Sequence, residues 1–176
     1  GEFTVNIALC CKGKPIFGVI YVPVTRELYY SDKENGKAYK SILGEDHSLL
    51  GPLYQEKDSI APSREKDGVL RVVGSRSHMN SETESFITTM KQNYGKVEIV
   101  SKGSSLKFCM VAEGKADVYP RFAPTMEWDT AAGQAVLEAA GGSLHVGNKP
   151  GERFLYNKES LLNPGFLGFG FSPEDQ

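Results

Sequence analysis

The sequence predicts an α/β fold built from two unlike parts, a partial antiparallel sheet followed by an α/β domain with a mixed, largely parallel sheet. Three observations carry this. Residues 3–40 read strand, turn, strand, turn, strand, with no amphipathic helix between them. After Gly68 strands and helices alternate, the rhythm of parallel pairing. Glycines stand where the helices of the second part should stop, at Gly95, Gly114 and Gly141-Gly142. The expected division is residues 1–60, a remnant of an antiparallel-sheet domain plus its connection, and residues 61–176, a C-terminal α/β domain.

The elements follow in order. Residues 4–9 are rich in β-formers, and Lys12-Gly13-Lys14-Pro15 reads as a turn. Residues 16–21 make a second strand and 27–31 a third, ahead of the Asn35-Gly36 turn signal. Three strands alone have no helix to cover a face, so part of this sheet is expected to be missing upstream. Residues 44–68 are polar, contain proline and lack periodicity, and are expected to connect the two parts. A strand over 69–73 follows, then Ser81-Glu82-Thr83-Glu84, a capping box that should open a helix ending at Gly95. Residues 96–100 form the next strand, 105–113 a helix, 116–119 a strand and 130–140 a third helix. Residues 142–146 and 166–171 supply the last strands.

Composition narrows the function. A formal net charge of -2 offers no global attraction to nucleic acid or an acidic membrane, so a polyanionic ligand must be held by a local cluster of cations. No apolar run approaches the about 18 residues that span a bilayer. The opening Gly-Glu-Phe-Thr has neither the basic start nor the apolar stretch of a signal peptide. Cys10, Cys11 and Cys109 are an odd count with two adjacent members, which fits a reducing, cytoplasmic setting. Cys10 and Cys11 are expected to be buried strand residues.

Ligands of α/β sheets gather beyond the carboxyl ends of the strands. Three loops fall there: Gly74-Ser75-Arg76-Ser77-His78, Ser101-Lys102-Gly103-Ser104-Ser105-Leu106-Lys107, and Pro120-Arg121-Phe122 with Glu127-Trp128-Asp129 beyond it. Each offers small hydroxyl residues, a cation, or both, as an edge that holds phosphate requires. Ser104 or Ser105 reads equally as a helix N-cap. Asp129 is open in the same way: it is a good N-cap for a helix starting there, and also a candidate magnesium ligand, since that ion prefers carboxylate and phosphate oxygens. Ala131, Ala132 and Gly133 leave the start of that helix bare to a close approach. Trp128 and Phe122 are expected in the core or in a pocket wall. Gly165-Phe166-Leu167-Gly168-Phe169-Gly170 is no dinucleotide fingerprint, because no helix follows it.

Trp128-Asp129-Thr130-Ala131-Ala132-Gly133, closing with Ala139-Ala140-Gly141-Gly142, resembles the second signature of the inositol monophosphatase superfamily. More narrowly, residues 1–9, Ser75-Arg76-Ser77-His78, residues 103–114, Tyr119-Pro120-Arg121-Phe122 and residues 157–165 resemble its CysQ branch, the 3'(2'),5'-bisphosphate nucleotidases. The likeness covers nearly the whole chain. It implies the layered α/β sandwich of the inositol monophosphatase and sugar phosphatase type. It also implies a magnesium-dependent phosphatase converting adenosine 3',5'-bisphosphate to AMP and phosphate, serving sulfate assimilation and nucleotide recycling in the cytoplasm or peripherally at the inner membrane face. By position, Asp129 would be catalytic, a metal ligand and close to the substrate phosphate. His78, Ser104, Lys107 and Arg121 would hold the nucleotide. The resemblance places the other metal ligands, a glutamate and an Asp-Pro-x-Asp-Gly-Thr motif, ahead of the equivalent of Gly1, and neither occurs in this sequence. The isolated chain is therefore expected to be inactive, with its magnesium position empty or weakly filled. An inositol monophosphatase or sugar bisphosphatase is the alternative within the superfamily, and a non-catalytic nucleotide-binding module the alternative outside enzymes. The expected partner is a small nucleotide bisphosphate rather than a nucleic acid polymer, and an open sheet edge suits pairing with a second copy.

Overall fold

A computed structural model describes residues 3–63, 67–74, 80–147, 149 and 152–171. Five strands, β1 (Val5–Cys11), β2 (Lys14–Val22), β3 (Glu27–Asp32), β4 (Lys37–Ile42) and β5 (Ser59–Ile60), pair antiparallel in chain order. The expected three-strand meander is thus two strands short. β4 was hidden because Lys-Ala-Tyr-Lys-Ser-Ile has adjacent apolar residues at 38 and 39 and no clean alternation. β5 lies inside the expected connection, next to a single 3-10 turn at Glu56–Asp58.

The second sheet contains β6 (Val69–Gly74), β7 (Lys96–Ser101), β8 (Val118–Arg121), β9 (Ser143–Val146) and β10 (Phe166–Phe169), in the order β7-β6-β8-β10-β9. It is mixed. β6 runs parallel to β7 and β8, while β10 runs antiparallel between β8 and β9. Three helices accompany the strands: α1 (Ser81–Tyr94), α2 (Leu106–Ala112) and α3 (Glu127–Ala139). The cap of α1 is Asn80, one residue before the expected box, and its Oδ1 accepts the Thr83 N–H at 3.0 Å. Gly95 ends α1 with φ +73°, a left-handed value that only glycine adopts cheaply.

α3 joins the two sheets. It packs across β1, β2 and β3, and the core cluster runs from Ile20, Val22, Tyr29 and Ala38 of the first sheet to Phe108, Val136 and Phe166 of the second part. The meander therefore has one face covered, by a helix over a hundred residues away in the chain. The small residues of α3 make that packing close. Ala132 sits against Gly18, and Gly133 against the Phe108 ring. Protein thus fills the space beside Gly133 and one side of Ala132, while Ala131 and Ala132 also line a hollow.

On the opposite face, pleat alternation turns Val5, Ile7 and Leu9 outward, 46%, 61% and 57% exposed, with Cys11 exposed beside them. Cys10 is half-buried toward α3, so only one of the adjacent cysteines approaches the expected burial. Among the described residues, no helix is long and apolar enough to cross a membrane.

Candidate functional site

Ser104 and Lys107 come from the passage between β7 and α2, Arg121 and Asp129 from that between β8 and α3, and all four line one cavity of about 340 Å³. Its remaining wall includes Asn6 of β1, Tyr119 of β8 and Thr130 of α3. His78, also expected here, lies outside the described residues together with its turn at 75–79.

Each side chain is held differently. Lys107 is buried, and its Nζ donates to the Ser104 carbonyl at 2.8 Å and to the Lys102 carbonyl at 3.3 Å, 5.4 Å from the centre of the Tyr119 ring. Its ammonium thus fixes the 102–104 loop while adding positive charge to the wall. Burial pushes the Tyr119 phenol up from its ordinary value, so the ring stays neutral beside that charge. Ser104 has φ +51°, a left-handed conformation unusual for a non-glycine residue. Neither serine caps α2 with its side chain as expected. Ser105 is the N-cap residue but makes no side-chain cap bond, and its hydroxyl donates instead to Asn6 Oδ1 at 2.7 Å.

Arg121 ends β8. Its Nε is buried with no hydrogen-bond partner, and among the described residues no carboxylate pairs with its guanidinium. A buried N–H left without an acceptor costs about 1–3 kcal/mol, more when it belongs to a charged group. A cation beside a cavity with no carboxylate partner among the described residues suits an anionic ligand.

Asp129 is not the first residue of its helix. α3 begins at Glu127, and Asp129 is its third residue, with Oδ2 accepting the backbone N–H of Met126 at 2.8 Å. One carboxylate oxygen therefore closes the helix start, and the other accepts nothing among the described residues. The choice between helix cap and ligand dissolves, because a carboxylate can serve both ends. Trp128, next to it, is 60% exposed rather than in the core, and forms part of a neighbouring hollow with Glu127 and Tyr156. Phe122 is half-buried, 6.4 Å from Phe86 between ring centres.

The chain matches the inositol monophosphatase family model over residues 1–165. The chain belongs to the inositol monophosphatase family. Within the family it is 46% identical over 167 residues to the 3'(2'),5'-bisphosphate nucleotidase CysQ of Salmonella typhimurium, and 47% identical to that of Shigella flexneri. Both matches cover 94% of this chain and 59% of the relative, so the chain spans about three fifths of the length of the curated relatives it matches. The crystal structure of CysQ from Bacteroides thetaiotaomicron superposes with a TM-score of 0.80 at 47% identity, over 96% of this chain and 63% of that one. The inositol monophosphatase from Anabaena shares the fold at 21% identity, with a TM-score of 0.63 over 96% of this chain and 61% of the other.

Beneath the cavity of this inositol monophosphatase family member lies a polar anchor that sequence reasoning missed. Glu127 is 8% exposed. Its Oε2 accepts the Asn157 N–H at 2.8 Å, and its Oε1 accepts the Lys158 N–H at 3.1 Å and Lys158 Nζ at 2.6 Å. Burial opposes its ionisation, but these donors outweigh burial and hold the carboxyl below its ordinary range. Asn163, also buried, donates through Nδ2 to the Met126 carbonyl at 2.7 Å and to Thr130 Oγ1 at 3.0 Å. The Asn163 N–H donates to the Thr125 carbonyl at 2.8 Å, so the 157–163 segment fixes both peptides that flank Met126, whose N–H holds Asp129. Asn163 stands directly before a proline, a turn signal that marks the bend but says nothing of where the amide reaches.

No group of three or more histidine, cysteine, aspartate or glutamate side chains among the described residues converges as a metal site requires. Asp129 brings one free carboxylate oxygen. That is too few for magnesium, which takes near-octahedral oxygen coordination, and so the described residues do not form a complete magnesium site by themselves.

Proposed function

We propose that this chain carries the substrate-holding wall of a magnesium-dependent phosphatase that converts adenosine 3',5'-bisphosphate to AMP and phosphate in the cytoplasm. The observation that carries the reading is the Arg121 guanidinium, which no carboxylate among the described residues pairs, with Lys107 and Asp129 lining the same cavity. A ligand with two phosphates suits such a wall: one phosphate meets the cations, while the other lies toward the single free carboxylate oxygen. The similarity to CysQ nucleotidases at 46–47% identity supports the same substrate class. Hydrolysis moves the 3'-phosphoryl group to water, and the sugar oxygen leaves and takes up a proton. In this chain Arg121 would bind and orient the phosphate that does not react. Asp129 would supply one magnesium ligand, and the rest would come from outside the described residues.

Arg121→Ala tests this. In the complete protein, loss of a charge-assisted contact should weaken binding of adenosine 3',5'-bisphosphate at least about tenfold, while magnesium affinity changes less than about twofold. Calorimetric titrations with each ligand separate the two. Equal losses would remove Arg121 from nucleotide binding, and tighter binding of inositol monophosphate than of the nucleotide would move the reading to another phosphate ester.

A further inference from the structure

A chain of hydroxyl groups crosses from the first sheet to the cavity. Ser105 Oγ donates to Asn6 Oδ1 at 2.7 Å. Thr4 Oγ1 lies 2.7 Å from Ser105 Oγ and 2.6 Å from Ser104 Oγ. The direction of every proton in it follows from the amide end. An amide oxygen only accepts, and a hydroxyl has one proton to give. The Ser105 proton is spent on Asn6, so Thr4 must donate to Ser105. The Thr4 proton is then spent as well, so Ser104 must donate to Thr4. Ser104 is exposed on the cavity wall, and what its oxygen has left to offer there is lone pairs.

Backbone geometry points the same way. Ser104 is held at φ +51° while Lys107 Nζ grips its carbonyl at 2.8 Å. A conformation of that kind persists only where its surroundings over-determine it. Here the lysine fixes the main chain and Thr4 fixes the side chain.

We infer that Thr4 and Asn6 are positioning residues that set Ser104 as a hydrogen-bond acceptor, so that Ser104 receives a sugar hydroxyl of the ligand and not a phosphate oxygen. A phosphate oxygen is itself an acceptor and gains nothing from a lone pair, whereas a hydroxyl donor does. This rests on the nucleotide reading above. Adenosine 3',5'-bisphosphate has one free sugar hydroxyl, at the 2' position, on the carbon next to the one bearing the 3'-phosphate. Arg121 and Ser104 then divide the ligand between them, the cation taking phosphate and the serine taking sugar.

Calorimetric binding of adenosine 3',5'-bisphosphate and of its 2'-deoxy analogue to the full chain tests the assignment. The unaltered chain should prefer the ribose form about fivefold, the net worth of one hydrogen bond. Ser104→Ala should erase that preference without weakening the deoxy ligand. Asn6→Asp should keep it, because a carboxylate still only accepts from Ser105. Thr4→Val cuts the chain beside Ser104 and should narrow the gap to below about twofold. Equal binding of the two ligands by the unaltered chain, or a preference that survives Ser104→Ala, would overturn the inference and leave the nucleotide reading intact. A full gap in Thr4→Val would remove Thr4 from the role. Binding of neither ligand would overturn the inference and the nucleotide reading together.

Discussion

Gly18→Ala should destabilise the chain by about 3 kcal/mol, lowering its melting temperature by roughly 9 °C for a chain of this length. The residue lies in the middle of β2 on the face that meets α3. A Cβ there would come within 2.6 Å of the Ala132 carbonyl oxygen and 2.7 Å of the Ala135 Cβ. Neither atom can swing away. One belongs to the helix backbone and the other is fixed to it, so relief requires α3 to lift from the sheet. The Gly18 N–H also donates to the buried Ser31 hydroxyl at 2.9 Å, which pins β2 from the other side. Gly74→Ala is the matched control, because a Cβ at Gly74 meets no atom of the described residues within 4 Å and its φ needs no glycine. It should leave stability unchanged or raise it by a few tenths of a kcal/mol. Thermal or urea unfolding of the two variants measures the difference. Equal melting temperatures would mean that α3 is not seated on β2 as closely as the structure places it.

The same contact shows why parts of the fold were legible in the sequence and others were not. Local signals work where the chain answers to itself. The turn at Asn35-Gly36, the α1 stop at Gly95 and the alternation after Gly68 are all settled within a few residues, and the strands and helices they imply are present. The reason for Gly18 is Ala132, which no local pattern of β2 can report. The start of α3 fails for a similar reason. Met126 is an unusual N-cap, and the helix begins there because Asp129 reaches back to it while Asn163 holds its carbonyl. An N-cap at Asp129 is sound capping chemistry placed three positions too late, since Met126 is the cap.

The cavity divides along the same line. Ser104, Lys107, Arg121 and Asp129 were legible because each lies at or just beyond the carboxyl end of a strand of the second sheet, in the loop, the strand end or the first turn of the helix that follows, where topology gathers ligand groups. Thr4 and Asn6 were not, because they come from the first sheet and meet Ser104 and Ser105 across about a hundred residues of chain. α3 makes that meeting happen. It binds one sheet through Gly18 and Ala132 and offers Asp129 and Thr130 to the cavity from its first turn. Stability and site geometry are therefore coupled through a single helix, and a loosened helix start should be felt at the carboxylate of Asp129.

Glu127→Ala should produce that loosening, at a cost of about 3 kcal/mol, the lower end for breaking a buried ion pair because Lys158 keeps some contact with water. The substitution leaves the Lys158 ammonium and the N–H groups of Asn157 and Lys158 without the carboxylate they share. The dependence on pH separates this from simple loss of packing. The folded-state pKa of Glu127 is lowered from an ordinary value of 4.5, so its stabilisation is fully present above that value. It is lost as pH falls through the lower folded value, where protonation removes the charge that holds Lys158. The unaltered chain should therefore lose stability steeply below pH 4.5, and Glu127→Gln, which has no proton to take up there, should start less stable and fall more shallowly. Urea unfolding from pH 7 to pH 3 compares the two slopes. Parallel slopes would mean that other carboxylates set the acid limb and that Glu127 contributes shape rather than charge. Adenosine 3',5'-bisphosphate titrated into Glu127→Gln at pH 7 reads the coupling itself. If the 157–163 segment holds Asp129 through Met126, ligand affinity should fall although Glu127 lies outside the wall of the cavity that Asp129 lines.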